Sequence, residues 1–272
     1  MSFKITLSKI TSKQNRALLR ELVSTDFKLR YQGSVIGYAW SLLRPLMLFA
    51  ILYVVFVQFL RLGRDISHFP IYLLLGIVLW SFFSEMTNQS LTSIVARGDL
   101  IRKIRIPRWI IVLSSSVAAL INLGLNLVVV AVFMVIDGVN VPAAAPWFLL
   151  ILLEIYVFAL GMSFYLAAAF VKFRDLSHIW EVVLQGMFYV TPILYPLSLV
   201  TNETAQKIIL LNPMAQAIQD ARNVLVSSDT LTITEVFHSP LAWMIPAIIC
   251  VGMFVFGLLY FKRESKYFAE NL

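Results

Sequence analysis

Residues 97–136 read RGDLIRKIRIPRWIIVLSSSVAALINLGLNLVVVAVFMVI. Arg97, Arg102, Lys103, Arg105 and Arg108 crowd the start, and no charged side chain occurs from Ile110 to Ile136. That apolar run exceeds the ~20 residues a helix needs to cross a bilayer, and in lipid a helix satisfies every backbone polar group internally. Five more apolar segments follow the same pattern, at 40–60, 69–85, 147–171, 179–195 and 241–261. The sequence therefore predicts an all-α integral membrane protein with six transmembrane helices. Placing the N-terminus and the even-numbered loops in the cytoplasm puts eighteen of the twenty-two Lys and Arg there and leaves only Arg61, Arg64, Lys207 and Arg222 outside. Basic residues gather on the cytoplasmic side of membrane proteins, so both chain ends are expected in the cytoplasm.

Composition excludes several other classes. Hydrophobic residues make up 60% of the chain and charged residues 14%, whereas soluble domains carry about a quarter charged residues. The net charge of +7 is accounted for by juxtamembrane Lys and Arg facing an anionic inner leaflet, and nucleic-acid binding is not expected. The N-terminal region is rich in Lys and Arg and has no uninterrupted apolar core, so no cleavable signal peptide is expected. Cys250 is the only cysteine and falls inside the last span, which excludes an intramolecular disulfide and a cysteine-rich metal site. The whole chain, 1–272, reads as one permease-like membrane domain, with residues 1–39 as a cytoplasmic lead-in.

Three stretches outside the spans carry organised patterns. In residues 12–30, Leu18, Leu19, Leu22, Val23 and Phe27 recur at helical spacing among charges, predicting an interfacial amphipathic helix. In the loop 91–108, Leu91, Ile94, Val95, Ile101 and Ile104 form a stripe beneath a basic face, predicting a short cytoplasmic helix along the membrane. The outer loop 196–240 is longer than a connection requires. Asn212-Pro213 reads there as a helix cap with proline at the first helical position. Met214, Ala217, Ile218, Ala221, Val224 and Leu225 then form an apolar face, opposite Gln216, Gln219, Asp220, Arg222 and Asn223. Thr191-Pro192 and Tyr195-Pro196 interrupt the fifth span, so short re-entrant helices are expected to dip into the outer leaflet. Polar side chains also occur within the spans: Asn122, Asn126, Glu154, Glu181 and Gln185. Such groups face protein or a wet cavity, and Glu154 has the alternative of snorkelling outward.

Taken in order, several pieces resemble the membrane subunit of type-two ABC exporters for polysaccharide, O-antigen or teichoic acid. They are Arg30-Tyr31 through Gly37-Tyr38-Ala39-Trp40-Ser41-Leu42-Leu43-Arg44-Pro45, the loop ending Ile106-Pro107-Arg108, Phe173-Arg174-Asp175-Leu176, Thr191-Pro192-Ile193-Leu194-Tyr195, and Asn212-Pro213. Ile106 stands where that family often has phenylalanine. The resemblance implies a homodimer of permeases joined to two ATP-binding cassette subunits, moving a lipid-linked glycan across the bacterial plasma (inner) membrane. It also implies that the chain binds no cofactor, with ATP and Mg held by the partner. No Gly-x-x-x-x-Gly-Lys-Ser/Thr phosphate loop occurs in this sequence, in keeping with that division of labour.

The loop matching the family's coupling helix supplies Arg97, Asp99, Arg102, Lys103, Arg105 and Arg108 as candidates for contact with the ATPase subunit. The resemblance places the channel along the first and fifth spans, where Phe49, Tyr53, Phe56, Phe188, Tyr189 and Tyr195 are candidates for stacking on sugar rings. Arg44 is the candidate for a lipid phosphate, with phospholipid head groups as its other option, while Pro192, Pro196, Asn212 and Pro213 mark an outer gate. An exporter of a smaller hydrophobic drug or lipid, and an ion-coupled secondary transporter, are the rival functions. The second is disfavoured because the interrupted fifth span has no matching partner in the first half. Ser163 and His178 do not complete a nucleophile motif, so an enzyme is not expected.

Overall fold

The structure, a computed structural model, describes residues 13–31, 37, 39–59, 66–103, 106–140 and 142–271. Among these residues the regular structure is helical, with no strand. Helix α1 runs Lys13–Tyr31, α2 Ala39–Tyr53 with a π-helical continuation Val54–Phe59, α3 Phe69–Ala96, α4 Gly98–Lys103, α5 Trp109–Ile136 and α6 Phe148–Lys172. Then follow α7 Leu176–Val190, α8 Glu203–Leu210, α9 Pro213–Leu225, α10 Ile233–Val236, α11 Met244–Glu264 and α12 Phe268–Asn271.

Among the described residues, five stretches are long and apolar enough to cross a membrane: Ala39–Val57, Phe69–Ala96, Trp109–Ile136, Ala145–Lys172 and Met244–Tyr267. The remaining expected crossing, 179–195, corresponds to α7, which has only 15 residues. At 1.5 Å rise per residue it extends about 22 Å, short of a ~30 Å hydrocarbon core. The cause is local: a residue before proline is driven out of the α region, and Thr191 before Pro192 is extended at ψ 133°.

Helix α3 forms the centre of the bundle, packed by α5, α6 and α7, while α11 lies along α6. Ile71, Leu73, Leu75, Ile77 and Leu79 of α3 have no exposed surface, as expected of a helix enclosed on every side. Lipid tails are as apolar as leucine, so helices in a membrane associate through close packing rather than hydrophobic exclusion. Gly161 of α6 and Gly257 of α11 supply that packing. A Cβ at Gly257 would lie 2.0 Å from the Gly161 carbonyl oxygen, and one at Gly161 would lie 2.5 Å from the Phe254 Cα.

The predicted stripe of 91–108 is divided between two helices. Leu91, Ile94 and Val95 belong to the end of α3, which continues past Glu85 to Ala96, and Ile101 belongs to the separate turn α4. Ile104 and Arg105 lie outside the described residues, as do Gly33 and Tyr38. Helix α1 packs against α5. Beyond α7, Asn202 and Asn212 cap α8 and α9 as their side chains accept from backbone N–H groups at 2.9–3.2 Å. Thr232 and Glu235 form a capping box on α10. Leu197, Leu210, Ile233, Val236 and Ala242 make a small separate core beneath these short helices.

Candidate functional site

A cavity of about 960 Å³ is walled by α2, α3, α5 and α7. Helical periodicity explains which residues reach it, because side chains four apart share a face. On α3 two adjacent rows point inward: Trp80, Ser84 and Asn88 beside Ser81, Glu85 and Gln89. Helix α7 contributes Glu181, Gln185, Phe188 and Tyr189, α2 contributes Trp40, Ser41, Arg44 and Leu48, and α5 contributes Asn122. The wall thus combines indole and phenol faces with carboxylates, amides and hydroxyls.

The polar groups are tied together. Glu85 Oε1 accepts from Gln89 Nε2 at 2.7 Å and from Asn122 Nδ2 at 2.5 Å. Asn126 Nδ2 donates to the carbonyls of Asn122 at 2.8 Å and Ser41 at 3.3 Å, joining α5 to α2. A carboxylate at this depth is tolerated because amide donors replace part of its hydration. Trp180 Nε1 donates to Thr87 Oγ1 at 3.1 Å and fixes the rotation of α7 against α3, which aims Glu181 and Gln185 at the cavity.

Beyond the end of α7, the Pro192 and Ile193 carbonyls have lost their helical partners, and the guanidinium of Arg222 takes their place. Arg222 is fully buried. Its Nη1 donates to Pro192 O at 2.5 Å and Gln219 Oε1 at 3.0 Å, its Nη2 to Ile193 O at 2.7 Å, and its Nε to Tyr72 O at 3.0 Å. The group stacks 3.6 Å from the centre of the Tyr72 ring. Gly76 makes room for it, since a Cβ there would lie 2.5 Å from Arg222 Nη2. Asn212 Nδ2 reaches Thr191 Oγ1 at 3.4 Å, so the broken end of α7 is held from α3 and α9 together.

At the other end of α3, Arg97 is braced internally. It pairs with Asp26 of α1, and its Nη1 donates to Ser114 Oγ of α5 at 3.3 Å. Asp99, Arg102 and Lys103 of α4 are exposed. Arg108 is half-buried, its guanidinium 5.8 Å from the Phe268 ring of α12. The exposed part of this region is therefore a small charged tip carried by α4, mounted on a junction of α1, α3 and α5.

A family model described as ABC-2 type transporter matches residues 17–226, which takes in the cavity, the tip and the Arg222 junction. The chain belongs to the ABC-2 type transporter membrane family. Among curated relatives, the O-antigen export system permease protein RfbA of Myxococcus xanthus is 34% identical over 202 residues, covering 74% of this chain and 77% of that protein. RfbA of Klebsiella pneumoniae is 28% identical, covering 94% and 95%. The polysialic acid transport protein KpsM of Escherichia coli is 23% identical, covering 78% and 82%.

For this ABC-2 family member, the cavity contains only some of the residues expected on a channel. Arg44, Phe188 and Tyr189 line it. Phe49 is buried instead, with its ring 5.7 Å from Tyr53 and 5.8 Å from Phe133. Tyr53 and Phe56 are half-buried against the core, and Tyr195 Oη donates to the Val190 carbonyl at 3.0 Å. Pro192 and Asn212 meet at the Arg222 junction, Pro213 opens α9, and Pro196 precedes the turn Leu197–Leu199. Trp80, Ser84, Glu85, Asn88 and Gln89 of α3 are cavity residues that the sequence pattern does not mark as such. Their signal is the four-residue spacing on α3, which runs on past the 69–85 boundary predicted from the apolar run. Glu154 does not snorkel freely: its Oε1 accepts from Cys250 Sγ at 3.8 Å.

Proposed function

We propose that this chain is the permease subunit of an ATP-driven exporter that moves a lipid-linked polysaccharide from the cytoplasm to the outer face of the bacterial plasma membrane. The cavity between α2 and α7 carries the reading. Its mixed lining of Trp40, Trp80, Phe188 and Tyr189 with Glu85, Asn122 and Gln185 suits pyranose rings, which present apolar C–H faces and hydroxyl edges. The O-antigen and polysialic acid exporters among the relatives support the same substrate class.

Two copies of the chain enclose the path, with α2 and α7 facing each other. Met47 and Ile51 of α2 and Val182 of α7, between 49% and 69% exposed, supply apolar surface for that partner. Helix α7 and the short helices α8 and α9 together make the sixth crossing, and both chain ends lie in the cytoplasm. Helix α1 lies on the inner membrane surface. Each copy docks one ATP-binding subunit, which holds ATP and Mg, through Asp99, Arg102 and Lys103. Because α4 follows directly on α3, and Arg97 ties that corner to α1 and α5, a push on the tip is delivered to the central helix of the bundle. Arg44 meets the pyrophosphate of the lipid carrier at the cavity mouth. The aromatic residues stack on successive sugars as the chain slides, and the Arg222 junction governs the outer exit.

Purification from native membranes in mild detergent tests this reading. An equimolar companion carrying a phosphate loop, with ATPase activity in the complex, is expected. A permease that purifies alone and still transports in response to an ion gradient would overturn it.

A further inference from the structure

We infer that Phe268 is a positioning residue for coupling: it seats the short helix α12 as a backstop behind the charged tip α4, so that motion of the ATP-binding subunit reaches the bundle. This goes beyond the exporter reading and rests on its assignment of α4 as the docking tip. The starting point is a mechanical need. Helix α4 has six residues, Gly98–Lys103, and none of them is buried. A helix so short does not hold its shape in water by itself, because most helical stability in proteins comes from tertiary packing. Without support, the tip would roll or unwind under a load before it displaced α3. Among the described elements, α12 is the one that packs most against α4.

Helix α12 is itself a single turn, Phe268–Asn271, reached from α11 through the turn Ser265–Tyr267. Phe268 holds it in place: this side chain is 1% exposed, whereas the preceding Lys266 and Tyr267 are exposed. Its ring meets Phe261 of α11 edge to face, with centroids 5.5 Å apart and planes at 81°. Phe261 in turn meets Phe164 of α6 at 5.2 Å and 63°. Aromatic pairs favour this arrangement, which adds a directional attraction to the burial of the rings. The guanidinium of Arg108, just before α5, lies 5.8 Å from the Phe268 ring centre, within cation–π reach. Helix α12 also packs directly on α6. The rings therefore lead to α6 and α11, the two helices whose backbones touch at Gly161 and Gly257. The tip is thus held from two directions, by chain continuity with α3 and by packing through α12 on the α6–α11 pair. A push on α4 is delivered to α3 because the backstop does not yield.

The test compares export with ATP hydrolysis in Phe268→Ala. Surface polysaccharide is measured in cells, and ATPase activity in the complex purified from the same membranes, at equal permease level. Export per ATP hydrolysed is expected to fall at least about fivefold, because the docked subunit still turns over while the tip yields. In the same complex, amide hydrogen exchange of residues 98–103, read by mass spectrometry, is expected to be faster by at least about fivefold, with no change in α5. Phe268→Leu keeps apolar bulk in the seat without the ring. It is expected to accumulate like the wild type and to lose about twofold in export per ATP, which keeps the test decisive where the alanine variant does not accumulate. A residue that served folding alone would lower export and hydrolysis together. Such a proportionate fall, or an unchanged ratio in the variant that accumulates, would overturn the inference and leave the exporter reading intact. A wild-type permease that purifies without an ATPase companion would overturn that reading and the inference with it.

Discussion

Replacing Arg222 by methionine removes a buried guanidinium that holds the broken end of α7, and the structure gives the size of the effect. Methionine keeps comparable length and apolar bulk, so packing around Tyr72 and Gly76 is largely retained. The Tyr72, Pro192 and Ile193 carbonyls lose their shared donor. Orphaning three buried acceptors at roughly 1–3 kcal/mol each costs about 3–9 kcal/mol. Relief from the desolvation of a buried cation offsets part of this, leaving a net loss of about 4 kcal/mol. For a protein of this size each kcal/mol shifts the melting temperature by about 2–4 °C, so a drop of about 8–16 °C follows. Lysine keeps the charge but not the planar fork, and about half that drop is expected of Arg222→Lys. Cys250 is 2% exposed and is the only cysteine, so the onset of its reaction with a thiol-activated fluorophore reports unfolding in detergent. Melting of Arg222→Met within about 2 °C of the wild type would refute the reasoning, because so small a shift corresponds to less than about 1 kcal/mol.

Other perturbations have equally definite outcomes. Gly257→Leu drives a side chain into the Gly161 carbonyl and is expected to remove most folded protein from the membrane, read by immunoblot and detergent gel filtration. Asp26→Asn and Arg97→Gln should each reduce export, and the exchanged pair Asp26→Arg with Arg97→Asp should restore part of it, measured as surface polysaccharide at equal protein level.

Much of the architecture was legible because membrane helices advertise themselves. Uninterrupted apolar runs and the sidedness of Lys and Arg located the long helices, and the break at Thr191-Pro192 and the Asn212 cap are local chemistry that the structure reproduces in hydrogen bonds. The junctions were not legible, since each depends on residues far apart in sequence. Arg222 was assigned to the polar face of an amphipathic helix, whereas both faces of α9 are enclosed, and its partner Tyr72 lies on another helix. Gly161 and Gly257 have no shared spacing to reveal that their backbones touch. Phe49, Tyr53 and Phe56 do share a helical stripe, but a stripe does not say which way it faces, and this one turns toward the core. Glu85 read as a boundary because a carboxylate usually ends a span. Its amide partners Gln89 and Asn122 let α3 continue through it, and the cavity wall lies along that continued helix.

The central claim is that the glycan passes through the cavity between α2 and α7. A photoreactive amino acid placed at Gln185 or Tyr189, with illumination of living cells during polysaccharide synthesis, tests it most directly. Ile248, exposed on an apolar stretch of α11, serves as the comparison position. The account predicts a glycan-bearing adduct of the permease from the two cavity positions and none from position 248. Equal labelling at all three positions, or no glycan adduct from either cavity position while export continues, would contradict it.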